Sequence, residues 1–267
     1  MKKFLIAACT IAGILPAGTL LAESGPLGWG ERAFKQEMET DRPDFTEGTQ
    51  TMQPGHLQVE SGYTYTSDDD GGDLDEHVLP ELLLRIGVID DLEFRLAWEG
   101  YISSKVDGHT DDGLSDFSVG FKHRMYQQAG HIPDFSFIGE LSLPAGSSEL
   151  SSDEVVPEVK FLWGYGFERF DLAGNLNFSG PIGEEGRYFE VANSETIGFD
   201  LTESIGAYIE YFGIYPAEDA IETTEHYLNG GFTYAATDSL QLDLRAGFGM
   251  NDAAADFFTG VGLALRI

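Results

Sequence analysis

The residues of this chain best equipped for chemistry sit near its start, where positions 40–48 read TDRPDFTEG. Carboxylates this close to an arginine and a proline suit a catalytic loop, a metal loop or a mechanical tie made through the planar guanidinium fork. The other candidates are dispersed. The six histidines, 56, 77, 109, 123, 131 and 226, form no H-x-x-x-H pair, and a structural metal site in a chain without thiols would need them to converge. The acidic run SDDDGGDLDEH at 67–77 offers oxygen ligands but not the ordered calcium-loop pattern. It reads as a solvated loop able to bridge to lipopolysaccharide phosphates through divalent cations. No G-x-S-x-G elbow is present to activate a serine. His123, in line with Phe121 and Phe117, is the one position from which a membrane-embedded hydrolase would be argued; otherwise it is a histidine at a membrane interface. No metal and no cofactor is expected.

What must position these residues is an extended chain rather than a helical one. The opening MKKFLIAACTIAGILPAGTLLA has a basic start, an apolar run and a small residue at Ala22, the layout of a secretory signal peptide over 1–22. Too few apolar residues precede Cys9 for it to serve as a lipid attachment site, and cleavage after Ala22 removes the only cysteine, so no disulfide is expected. With 46 acidic against 15 basic side chains the net charge is −31, which argues against a nucleic-acid partner.

Beyond the leader no apolar run reaches the ~20 residues of a membrane helix. Instead a period of two recurs. Leu57, Val59, Tyr63 and Tyr65 share one face and Gln58, Glu60, Gly62 and Thr64 the other; Leu92, Phe94, Leu96 and Trp98 alternate with Glu93, Arg95, Ala97 and Glu99. Twelve such segments are expected at 55–66, 77–88, 92–101, 114–125, 135–144, 155–165, 169–179, 188–199, 203–212, 224–234, 239–249 and 256–267. Each is near the ~9–11 residues with which a tilted strand crosses a bilayer. Long connections such as ISSKVDGHTDDG alternate with short ones such as VIDD, and aromatics gather near strand ends on the apolar face. These features predict an all-β, transmembrane, antiparallel up-and-down barrel of about 12 strands with both termini periplasmic, in the outer membrane of a Gram-negative bacterium. A soluble sandwich would alternate too, but without aromatic girdles.

The stretch TDRPDFTEGTQTMQPGHLQVESGYTYT at 40–66 resembles the opening of the bacterial family named for the meta-pathway of phenol degradation, a group of outer-membrane transporters. GLSDFSVGFKHR at 113–124, LSLPAG at 141–146, AYIEYFG at 207–213 and DSLQLDLRAGFG at 238–249 agree with it. The resemblance implies a barrel and transport of hydrophobic or aromatic compounds. The final strand, FFTGVGLALRI, resembles the sorting strand of outer-membrane barrels, though it ends in Ile267 where an aromatic is usual. That implies the barrel-assembly machinery as a partner, beside outer-membrane lipid, lipopolysaccharide and a small solute.

The polar faces turn Glu60, Glu81, Arg85, Glu93, Arg95, Glu99, Asp116, Lys122, Glu140, Glu158, Lys160, Asp171, Glu210, Asp243 and Arg245 into the lumen. They would line a channel or interlock and close it. Residues 23–53 precede the barrel (54–267) and are expected as a luminal plug or constriction, or else as a disordered periplasmic tail. As a plug, Arg42 would bridge two wall carboxylates, with Asp44 and Glu47 beside it. The candidate constriction is therefore Arg42, Asp44, Glu60, Arg85, Glu93, Arg95, Lys122, Glu140, Lys160, Glu210, Asp243 and Arg245. Passive transport of a small solute is the expected function, with the hydrolase and a structural or adhesive barrel of sealed lumen as alternatives.

Overall fold

The computed structural model describes residues 24–69, 73–183, 186–217 and 224–267. The expected signal peptide and the centre of the 67–77 acidic run lie outside them. The alternating segments become β1 (Leu57–Asp68), β2 (Leu74–Ile89), β3 (Leu92–Val106), β4 (His109–Leu114), β5 (Phe117–Tyr126), β6 (Asp134–Leu143), β7 (Val156–Gly166), β8 (Phe170–Ser179), β9 (Ile182–Gly183), β10 (Gly186–Arg187), β11 (Glu190–Asp200), β12 (Ile205–Pro216), β13 (Glu225–Thr237), β14 (Leu240–Gly249) and β15 (Phe257–Arg266). Every pairing is antiparallel, and β1 bonds both β2 and β15, so the sheet closes on itself. Twelve strands form the wall. β4 is the return arm of a hairpin with β3, and β9 pairs only with β10.

Most strand ends shift by one to a few residues from expectation, and two of the differences have readable reasons. The run ISSKVDGHTDDG is a hairpin, not a loop: Asp107 and Gly108 both have positive φ (49° and 83°), the type I′ geometry that Asp-Gly favours, and Lys105 faces Thr110 across it. Asp116 lies between β4 and β5 and not on a wall strand, so its carboxylate serves a loop.

The faces of the wall are inverted relative to a soluble protein. Ile209 is 58% exposed while its neighbour Glu210 is 0%; Phe121 is 42% and Lys122 0%. Apolar side chains cover the outside and ionisable ones the inside. In water this arrangement would be costly, whereas a hydrocarbon surround makes it favourable. On the outer surface Phe135, Phe161, Phe178 and Phe189 contact one another in series across β6, β7, β8 and the chain before β11. The even strand count brings the start of β1 and the end of β15 to the same, short-turn rim. There Leu57 and Ile267 exchange backbone hydrogen bonds (3.1 and 2.8 Å), and the buried His56 ring contacts the carbonyls of Ile267 and Glu31 at 3.1 and 2.7 Å.

Candidate functional site in the barrel lumen

Residues 39–53 run across the lumen as a strap without regular secondary structure. With no ladder to satisfy them, the strap's backbone amides must find partners on the wall. Glu60 on β1 accepts from the N–H groups of Asp41 and Arg42 at 3.0 Å. Glu210 on β12 accepts from Phe45 at 2.8 Å and Thr46 at 2.6 Å, and Glu93 on β3 accepts from Met52 at 2.7 Å. On β6, Ser136 donates to the Thr49 carbonyl at 2.5 Å. On β2, Arg85 donates to the carbonyls of Glu39 (3.1 Å) and Gln50 (2.8 Å), which pins both ends of the strap's turn to one side chain.

Side-chain charges make a second layer of attachment. Asp41 lies between Arg95 (2.5 Å) and Lys122 (2.9 Å), with Arg85 at 3.6 Å. Lys122 also donates to the Gly48 carbonyl at 2.8 Å. Glu47 joins Arg95 to Lys160, both at 2.6 Å. Arg42 bridges Glu81 (2.9 Å) and Asp243 (3.4 Å), and Arg245 donates to the Pro43 carbonyl at 2.9 Å. The wall groups Arg85, Glu93, Lys122, Glu60 and Glu210 are fully buried, so each charge is left to its protein partners with little water to help.

Arg42 also explains a pair of glycines. Gly62 and Gly262 face each other across the β1–β15 ladder, and a Cβ on either would collide with the Arg42 guanidinium. The bare backbone there is a seat for the strap. Farther round, Phe45 stacks on Phe212 (centroids 4.5 Å apart), which stacks on Tyr227 (4.6 Å), and with Phe258 and Ala254 these form an apolar cluster inside the lumen.

Of the twelve expected constriction residues, ten join the strap and wall through hydrogen bonds or ion pairs. Asp44 and Glu140 do not: neither has a cation within salt-bridge distance among the described residues, and both line the open space beside the strap. Asp41, at the centre of the charge network, was absent from the expected set although it stands in the TDRPDFTEG stretch. Also unforeseen were Glu39, Gln58, Ser136, Ser194 and Asn229, which complete the hydrogen bonding, and the Phe45 stack.

The strap leaves cavities on both sides. Toward the long loops lies one of about 370 Å³ bordered by Arg42, Asp44, Glu99, Glu140, Lys160 and Asn177. It adjoins another of about 420 Å³ that reaches Asp116, Leu150 and Ser152 in the loops. Toward the short turns lies a third, about 370 Å³, bordered by Thr40, Asp44, Thr49, Gln128, Asp134 and Asp171. Asp44 alone borders the spaces on both faces of the strap. At the loop end, Asp116 accepts from the amides of Ala145, Gly146 and Ser152 at 2.9–3.0 Å and so folds the 144–155 loop inward. Burial would raise this carboxyl, but the Ser152 and Gly146 N–H donors outweigh it and hold the pKa at about 2. His123, on which a hydrolase would depend, contacts the Asp91 carbonyl at 2.8 Å and lies edge-on to Phe137.

A closed, twelve-stranded antiparallel wall with an apolar exterior and a charged lumen defines an outer-membrane type of β-barrel. Residues 40–267 match the sequence model of the family described as "Putative MetA-pathway of phenol degradation", and the chain belongs to that family. The match begins at Thr40, so it takes in the strap as well as the barrel. No curated protein matches the chain in sequence. The fold is similar to the NanC porin (TM-score 0.52, 10% identity, covering 79% of this chain and 100% of that one). It is equally similar to the translocator domain of the autotransporter NalP from Neisseria meningitidis (TM-score 0.52, 11% identity, 79% and 88%).

Proposed function

We propose that the protein is a channel in the outer membrane of a Gram-negative bacterium, through which small solutes diffuse passively past the strap. Both termini and the short turns face the periplasm, and the long loops face outward, as in bacterial barrels of even strand number. The observation that carries this reading is the strap itself, a segment tied across the lumen with solute-sized space on either side, both spaces bordered by Asp44. No covalent step is assigned to any residue. The outward position of His123 and its contact with a backbone carbonyl support a channel over a hydrolase. The family description supports aromatic compounds as one class of solute. The terminal strand β15 would be read by the barrel-assembly machinery, and the loop rim would meet lipopolysaccharide.

Conductance in planar bilayers tests this. The full chain should give small, steady channels, and a variant lacking residues 24–53 should give larger ones. Zero conductance from both would mean a sealed, structural barrel, and ester hydrolysis lost on His123→Ala would replace the channel with an enzyme.

A further inference from the structure

From the way the luminal charges are paired, we infer that the chamber on the loop side of the strap selects cationic solutes over anions. The inference rests on the channel reading and adds a solute class to it.

Every basic side chain bordering that chamber is already occupied. Arg42 holds Glu81 and Asp243, Arg95 holds Asp41 and Glu47, Lys160 holds Glu47 and Glu158, and Arg245 holds the Pro43 carbonyl and the Thr64 hydroxyl. The acids are in surplus. Glu99, Glu140 and Asp44 border the same space, and among the described residues none has a cation within 4.0 Å. An independent feature points the same way: Asn177, only 5% exposed, lines the chamber, and its side-chain oxygen has no protein partner. A buried acceptor left unsatisfied by the protein is costly unless something in the adjoining space donates to it. The chamber thus offers an entering solute acceptors and a surplus of carboxylates, while each cation on its wall already holds an acceptor and only buried Nε groups of Arg42, Arg95 and Arg245 are left unpartnered among its arginines. Its volume, about 370 Å³, is within the range of sites for small organic molecules. Carboxylate linings select cations in other pores for the same electrostatic reason. The complementary ligand is a small organic ammonium ion bearing several N–H donors.

Two measurements on the full chain test this. Under a tenfold potassium chloride gradient, kept dilute so that screening is weak, the reversal potential should move toward that of potassium. Spermidine, added to the loop side, should reduce the current. In Glu99→Gln/Glu140→Gln both effects should shrink, with spermidine affinity falling about tenfold for the loss of two partly solvated charges. A reversal potential at zero or toward chloride, or spermidine block unaltered in the double variant, would overturn the inference. Calorimetric titration of spermidine into the detergent-solubilised protein separates this from the channel reading. If no variant conducts but spermidine binding depends on Glu99 and Glu140, the channel is lost and the cation site stands.

Discussion

The strap is held differently by the two sides of the barrel. On the β2–β5 side the attachment is ionic, with Asp41 and Glu47 of the strap entering a buried cluster of Arg85, Arg95, Lys122 and Glu93. On the β11–β13 side one carboxylate, Glu210, accepts strap amides and the Thr46 hydroxyl, helped by Asn229, while Phe45 lies flat on Phe212. The ionic side gains little from being charged, since desolvation offsets most of the attraction, but it tolerates no missing member. The Glu210 side depends on backbone N–H groups that every strap sequence short of proline would carry. The first arrangement specifies which segment may occupy the lumen; the second mainly holds it there.

This contrast sets the order of expected effects. Asp41→Asn leaves Arg95 and Lys122 buried without their shared counter-charge and should weaken strap docking by about 3–5 kcal/mol. Conductance would rise, and amide exchange at 39–53 would accelerate. Adding Lys122→Met to Asp41→Asn should restore part of the loss, because one stranded charge is removed with its partner. Equal effects of the single and double variants would break the ionic half of the comparison. Glu210→Gln keeps the shape but turns charge-assisted bonds into neutral ones, with a cost of about 1.5–3 kcal/mol. Faster exchange of the Phe45 and Thr46 amides, with Asp41 undisturbed, would show that the two attachments act separately.

The barrel was legible in the sequence because lipid and lumen impose opposite chemistries on neighbouring residues, and a period of two records that directly, as Phe121 and Lys122 illustrate. The charged wall partners of the strap followed from the same parity, whereas the uncharged ones, Gln58, Ser136 and Ser194, did not stand out from it. The strap's own contacts did not, since an irregular segment carries no period. Nothing in TDRPDFTEG distinguishes Asp41, which meets three cations, from Asp44, which meets none among the described residues. The use of Gly62 and Gly262 as a seat for Arg42 depends on two strands far apart in sequence becoming neighbours at barrel closure. Likewise the Phe45 stack requires the 250–256 loop to fold inward over Phe258 and Tyr227.

Smaller changes sharpen the comparison. Gly262→Val should displace Arg42 without altering any charge, so its conductance should rise while the Asp41 cluster remains protected from exchange. Phe45→Ala removes one stacked aromatic pair, worth about 0.5–1.5 kcal/mol beyond its area, and should loosen the Glu210 side alone.

The weakest effect is expected where the Glu210 arrangement recurs nearer solvent. Asp116 gathers the amides of Ala145, Gly146 and Ser152 as Glu210 gathers those of the strap, but water competes for it. Its folded pKa of about 2 lies below the ordinary aspartate value near ~3.9. The loop therefore has the full benefit above about pH 4 and loses it as pH falls through about 2. NMR shifts of the Gly146 and Ser152 amides should titrate over that window in the native protein and stay flat in Asp116→Asn. A titration centred at the ordinary aspartate value would mean that these N–H groups do not favour the charged carboxylate, and capture of a loop by backbone amides would then require the burial that Glu210 has and Asp116 lacks.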